Sequence, residues 1–221
     1  EEKIMIEISA SILSVHEEKS LKIFYNLETA GIDYFHIDVM DGKFVENNTE
    51  DIMKKYAMEI KHVSNIPLDV HLMVKSVRKY IDEYLDLQPK IITIHYESGK
   101  NNILENIRYI NENNIKSGIS IKPNTEIEEI YEILPYIHQV LIMTVEPGQG
   151  GQKLIESTLE KIKKLKQYIK EKDLEIDIEV DGGINLNNIE KIKRIGADIV
   201  VCGTALINSE DYKETVRKMK Q

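Results

Sequence analysis

The sequence predicts an α/β fold, a (β/α)8 TIM barrel formed as one domain by residues 1–221, and three observations carry that reading. Eight short β-branched runs alternate with longer amphipathic stretches, as parallel strands buried on both faces alternate with crossover helices. No composition break, Pro/Ser-rich linker or low-complexity tract interrupts the alternation. The glycine-rich turns come late, after the sixth, seventh and eighth runs, where barrels of this kind commonly build a phosphate site. A doubly wound open sheet is the competing arrangement. It would be expected to carry G-x-G-x-x-G after its first strand, which here ends in Ser9-Ala10-Ser11.

In chain order, the first strand is expected over residues 4–8 and its helix over 17–30. The second strand, 34–39, runs into His36-Ile37-Asp38-Val39-Met40-Asp41-Gly42; a period of two puts His36 and Asp38 on one side, Ile37 and Val39 on the other. A helix over 49–63 follows, then a third strand over 68–74 containing Asp69-Val70-His71-Leu72-Met73, and a helix over 77–87. The fourth strand, 91–94, is followed by His95 and a helix over 102–113. The fifth, 117–121, precedes a helix over 127–136 with Asn124-Thr125 as its start signal, because Glu126, Glu128 and Glu129 suit the positive end of a helix dipole. After the sixth strand, 139–143, a helix over 157–172 buries a stripe of Leu159, Ile162, Leu165 and Ile169; Lys161, Lys163, Lys164 and Lys166 are expected as its solvated face. The seventh strand, 176–180, runs into Glu179-Val180-Asp181-Gly182-Gly183 and a helix over 186–195, and the eighth, 198–201, into Gly203-Thr204 and a helix over 211–219.

Composition narrows the function. Lys plus Arg number 29 against 38 Asp plus Glu, a net charge of -9, which argues against nucleic acid or an anionic membrane as partner. With 42% hydrophobic and 30% charged residues the chain is expected to be globular and soluble. The lone Cys202 has no intrachain disulfide partner and reads as a buried core thiol, and residues 1–7 lack the basic-then-apolar pattern of a secretory signal. No apolar run reaches the roughly 20 residues that span a bilayer. The expected compartment is the cytoplasm.

Function in such a barrel gathers at the C-terminal strand ends, where this sequence brings two imidazoles and two carboxylates. Several ionisable groups buried together cost several kcal/mol unless paired or bound to a cation. A donor set of nitrogen and oxygen without thiolate suits Zn²⁺, Fe²⁺, Mn²⁺ or Co²⁺ and leaves the choice among them open. Met40, Met73 and Met143 sit at or just beyond strand ends, either as ordinary core filling or as an unbasic lining that excludes water. Gly148-Gln149-Gly150-Gly151, Gly182-Gly183 and Gly203-Thr204 let backbone N–H groups approach an anion, so together they predict a phosphate cradle with Lys153 at most assisting. A metal beside two carboxylates and a phosphate subsite predicts proton chemistry next to the carbonyl of a sugar phosphate, one carboxylate on each face of an enediolate.

These residues resemble the ribulose-phosphate 3-epimerase family. The matching segments are Ser9-Ala10-Ser11-Ile12-Leu13, residues 36–42 with Phe44-Val45, Leu68-Asp69-Val70-His71-Leu72-Met73-Val74, Val145-Glu146-Pro147-Gly148-Gln149-Gly150-Gly151-Gln152 and Val180-Asp181-Gly182-Gly183-Ile184. The resemblance implies that His36, Asp38, His71 and Asp181 bind one divalent metal, and that Asp38 and Asp181 also act as acid and base. It implies that Ser11 contacts substrate, that Met40, Met73 and Met143 line the enediolate, and that 148–151, Gly182, Gly183, Gly203 and Thr204 hold the phosphate. It further implies a homo-oligomer. Ala10 and Glu46 stand where the family usually has proline, Gln149 where it usually has phenylalanine, and residues 47–51 are more polar than usual. Since residues 46–51 and Gln149 lie in loops expected to cover the substrate, allulose 6-phosphate stands as the alternative to ribulose 5-phosphate. A superfamily decarboxylase would need a lysine in a D-x-K-x-x-D pattern that 69–74 lacks, and a non-catalytic sugar-phosphate binder would not need two carboxylates around a metal. His95 is expected either near the site or in a structural hydrogen bond, while His16, His62 and His138 form no constellation.

Overall fold

The computed structural model describes residues 6–221. Its strands are β1 (Glu7–Ser11), β2 (Tyr34–Met40), β3 (Leu68–Met73), β4 (Ile91–His95), β5 (Lys116–Ile121), β6 (Gln139–Met143), β7 (Asp177–Asp181) and β8 (Ile199–Cys202). All pair in parallel and in sequence order, and β1 returns to β8 through Glu7 with Ile199 and Ala10 with Cys202, so the sheet closes into a barrel. The helices are α1 (Ser20–Ala30), α2 (Glu50–Val63), α3 (Val77–Leu85), α4 (Ile103–Glu112), α5 (Leu159–Lys172), α6 (Ile189–Arg194), α7 (Thr204–Ile207) and α8 (Tyr212–Lys220). The predicted (β/α)8 barrel is the observed fold. No helix among the described residues is long and apolar enough to cross a membrane. Residues 4 and 5 of the first strand, expected over 4–8, lie outside the described residues, and β1 starts at Glu7 and runs on to Ser11.

The alternation of side chains divides the molecule into two layers. Outward-facing Ile8, Phe35, Ile37, Val39, Val70, Leu72 and Val180 are fully buried in one cluster with the inner faces of the helices. Within it Phe24 of α1 meets Phe35 and Tyr56 edge to face, at 5.8 and 5.4 Å between ring centroids. The barrel interior is more polar. Ser9, His36, Asp69, His71, Thr93 and Glu179 are buried there, which is tolerable because each bonds a polar neighbour inside the barrel. Gly118 leaves that interior its room: a Cβ there would lie 2.4 Å from Thr93 Oγ1.

Four expectations need correction. The segment expected as one helix over 127–136 forms two short 3₁₀ turns, Ile127–Ile130 and Leu134–Tyr136. Pro135 lies in the second turn, and without an N–H it cannot continue a helical ladder back to Tyr131. The cap of the first turn is Glu126, in a reciprocal capping box with Glu129, while Thr125 is drawn away to bond Glu97. α6 starts at Ile189, three residues late, because Asn185 and Asn188 tie the preceding turn through Asn187 N to Asn185 Oδ1 and Asn185 N to Asn188 Oδ1, both 2.9 Å. Lys161 is buried rather than solvated: its Nζ donates to the carbonyls of Lys122, Pro123 and Thr125, anchoring the loop after β5.

Candidate active site

Parallel register carries the strand-end residues to one height. Asp38 of β2 is paired with His71 of β3, and Asp181 of β7 with Met143 of β6. Across the mouth, His36 Nε2 lies 3.3 Å from Asp38 Oδ1 and 4.0 Å from Asp181 Oδ2; His71 Nδ1 lies 3.2 and 3.9 Å from the same two oxygens. All four donor atoms fall within 4.8 Å of one another. Bonds of about 2.0–2.2 Å to a shared centre would put neighbouring donors roughly 3–4 Å apart, so the spacing fits a metal.

An orphaned atom supports the same fit. His36 is fully buried and its Nε2 has no hydrogen-bond partner, although it faces two carboxylates. Burial alone would depress the charged imidazole, but Asp69 and Asp38 outweigh it and hold the pKa well above the usual value. The site thus attracts positive charge between Asp38 and Asp181, whether a proton or a cation supplies it. Asp38, despite burial, is held below the usual carboxylate range by the His36 imidazole beside it, whereas burial and the neighbouring Asp38 push Asp181 up to about 6. Two carboxyls facing one mouth with their pKa values pushed apart are what paired acid and base chemistry needs.

Beneath this layer lies a second one. His36 Nδ1 is 2.5 Å from Asp69 Oδ2, which also accepts from Ser9 Oγ at 2.7 Å. Burial and the adjacent Asp69 raise Glu179 well above its usual range, and Glu179 accepts a hydrogen bond from Gln139. Asp69 therefore turns His36 so that Nε2 points to the mouth. Sequence reasoning quoted Asp69 and Glu179 without assigning them roles; the available signal was their spacing, two residues before His71 and Asp181 on the same strand face. Glu97 and Thr144 were missed altogether. Thr144 Oγ1 donates to the carbonyls of Asp181 and Gly182, at 3.0 and 2.6 Å, and fixes the end of β7.

The mouth opens into a cavity of about 1120 Å³. Met40, Met73 and Met143 are buried and line its floor beside Asp38 and Asp181. Ser11 also lines it, and its Oγ donates to Asp38 Oδ2 at 2.8 Å, leaving Oδ1 to face the imidazoles. The opposite wall is made of Gly148, Gln149, Gly150 and Gly151, then Gly182 and Gly183, then Gly203 and Thr204. These three loops are close neighbours: a Cβ on Gly183 would lie 2.4 Å from Leu154 N, and one on Gly150 would lie 3.7 Å from Thr204 Oγ1. At Gly183 the φ of +70° also favours glycine. On the near side Asp41 gathers the N–H groups of Lys43, Phe44 and Lys75, which orders the loop after β2, and Asn47 Nδ2 from that loop donates to Gly148 O at 2.6 Å. Of the unusual residues, Gln149 lines the cavity and is exposed, whereas Glu46 is exposed and does not line it. Cys202 is fully buried in the outer cluster, its thiol pushed up to about 12 by burial.

Residues 7–207 match the model of the ribulose-phosphate 3 epimerase family. A ribulose-phosphate 3-epimerase of Methanocaldococcus jannaschii is 37% identical over 98% of this chain and 91% of its own length. One of Bacillus subtilis is 35% identical over 98% and 99% respectively. Among solved structures, a 3-hexulose-6-phosphate synthase aligns with TM-score 0.72 at 11% identity, over 97% of this chain and 98% of that one. A 3-keto-L-gulonate-6-phosphate decarboxylase from Vibrio cholerae gives TM-score 0.72 at 13% identity, over 97% and 95%. At such identities these two share the fold and nothing more is drawn from them. The family match and the curated relatives, each spanning nearly the whole chain, show that this protein belongs to the ribulose-phosphate 3-epimerase family and is an isomerase.

Proposed function

We propose that the protein interconverts D-ribulose 5-phosphate and D-xylulose 5-phosphate by 3-epimerisation through a 2,3-enediolate. The observation that carries this is the pair of carboxyls, Asp38 and Asp181, meeting two imidazoles within 4.8 Å at the floor of a glycine-walled cavity. His36, Asp38, His71 and Asp181 would hold one divalent cation, whose charge, when bound, polarises the C2 carbonyl and favours the enediolate. The nitrogen and oxygen donors suit Zn²⁺, Fe²⁺, Mn²⁺ or Co²⁺ alike.

Asp38 and Asp181 reach the mouth from β2 and β7, so the sugar lies between them. One, ionised, removes the C3 proton from its face; the other, protonated, returns a proton to the opposite face, and the roles exchange in the reverse direction. Ser11 holds Asp38 by its Oδ2 and so limits rotation of that carboxyl. Met40, Met73 and Met143 keep water from the planar intermediate without offering it a base. The amides of Gly148, Gln149, Gly150 and Gly151, with those of Gly182, Gly183, Gly203 and Thr204, take the phosphate and fix C3 between the carboxyls.

A cavity of about 1120 Å³ admits a hexulose phosphate as well as a pentulose phosphate. The deciding experiment is kcat/KM for ribulose 5-phosphate and allulose 6-phosphate side by side on metal-replete protein. A clear preference for the pentulose supports the proposal; preference for the hexulose overturns it and points to Gln149, and turnover of neither overturns the epimerase reading itself.

A further inference from the structure

Each imidazole at the mouth has a second nitrogen that something must satisfy. For His36 it is Asp69. For His71 it is a chain of two residues: His71 Nε2 lies 2.9 Å from His95 Nε2, and His95 Nδ1 lies 3.1 Å from Glu97 Oε2. The other Glu97 oxygen accepts from the Lys122 backbone N–H at 2.8 Å and from the Thr125 hydroxyl. Both imidazoles are fully buried, and the Phe44 ring covers His95 at 4.8 Å between centroids. The loop that clamps Glu97 is itself anchored by Lys161.

Such a chain can be protonated in two directions. In one, His95 Nδ1–H donates to Glu97, His71 Nε2–H donates to His95 Nε2, and a lone pair is left on His71 Nδ1 in the mouth. In the other, His95 Nδ1 turns a lone pair toward a carboxylate oxygen 3.1 Å away and His71 Nδ1 carries the proton. Two acceptors cannot bond, and Glu97 stays ionised because its partners hold it down to about 2 although burial opposes them. His95 is fully buried beneath Phe44 with its Nδ1 committed to Glu97, which leaves its Nε2 as the acceptor toward His71. The first direction therefore holds. It leaves the His71 Nδ1 lone pair 3.2 Å from Asp38 Oδ1, an acceptor facing an acceptor, which a shared cation resolves.

We propose that Glu97 and His95 are positioning residues that lock His71 in its Nε2–H tautomer, so that Nδ1 faces the mouth as a metal ligand. The consequence for metal rests on the reading above; the tautomer does not. Glu97→Gln reverses the relay without changing its shape. The amide oxygen must stay where Lys122 N–H and Thr125 Oγ donate, so the amide NH₂ faces His95 Nδ1 and sends the proton to His71 Nδ1.

The test is long-range ¹H–¹⁵N correlation of ¹⁵N-histidine-labelled, chelator-treated protein, followed by Co²⁺ titration in competition with a chromophoric chelator. Expected are Nε2–H on His71 in the unsubstituted protein, Nδ1–H in Glu97→Gln, and a loss of about 10–100-fold in Co²⁺ affinity. A Nδ1–H tautomer in the unsubstituted protein overturns the proposal whether or not the variant folds. So does a Glu97→Gln variant with unchanged tautomer and unchanged Co²⁺ affinity. If the tautomer switches but neither protein binds Co²⁺, the relay stands and the metal reading falls.

Discussion

Gly183 is where two walls of the cavity press together, and Gly183→Ala measures how much the site depends on that contact. The residue has φ +70°, and a Cβ there would lie 2.4 Å from Leu154 N, 3.0 Å from Gln152 O and 3.0 Å from Leu154 Cα. All three neighbours are backbone, so no side-chain rotation relieves the clash. A left-handed conformation with a Cβ costs about 1–2 kcal/mol and an overpacked contact about 1–3, together about 2–5 kcal/mol. For a chain of this size that corresponds to a fall of about 4–20 °C in Tm. Forcing Gln152 and Leu154 outward also moves the amides proposed to hold phosphate; losing one charged hydrogen bond, about 1.5–3 kcal/mol, raises KM about tenfold to a hundredfold. Gly99→Ala is the control, because its φ is −149° and its nearest neighbour would be 3.9 Å away. Calorimetry and steady-state kinetics on both variants decide the matter. A Gly183→Ala protein that melts and binds substrate like the Gly99→Ala protein would refute the reasoning.

Asp69→Asn removes the charge that orients His36, and metal affinity should fall about 10–100-fold with the fold intact; equal Co²⁺ titrations would contradict the role given to Asp69. Glu97 lies at about 2 in the folded protein, below its ordinary value of 4.5, so the stability it contributes is complete above pH 4.5 and is lost as pH falls toward 2. The Tm gap between chelator-treated parent and Glu97→Gln should therefore narrow from about pH 6 to about pH 3, and a constant gap would count against it. Lys161→Met strips a donor from three carbonyls and should cost about 2–3 kcal/mol in urea denaturation, whereas exposed Lys163→Met should cost less than about 0.5.

The strand-end quartet could be read from sequence because two regularities act together. Alternation within β2 puts His36 and Asp38 on the inner face, and parallel pairing of successive strands sets Asp38 beside His71. The late glycines identify the opposite wall by the same logic, since consecutive loops of a closed barrel are neighbours. What escaped is held by contacts between elements far apart in the chain. Glu97 matters only because the loop 122–125 folds over it, and that loop is fixed by Lys161, 36 residues beyond Thr125. In sequence Lys161 is one lysine in a run of several, and nothing local distinguishes the buried one. The crossover between β5 and β6 misled for a related reason. Its apolar residues Ile127, Ile130, Ile133 and Leu134 are buried as a helix would bury them, but Pro135 and the short span settle it into 3₁₀ turns.

The central claim is that two carboxyls act on opposite faces of one enediolate, and the most direct test is ¹H NMR of ribulose 5-phosphate turnover in D₂O by the metal-replete protein and its Asp181→Asn variant. The account predicts that the xylulose 5-phosphate formed carries deuterium at C3, and that Asp181→Asn forms it at least about a hundredfold more slowly. Product retaining protium at C3, or undiminished turnover in Asp181→Asn, would contradict it.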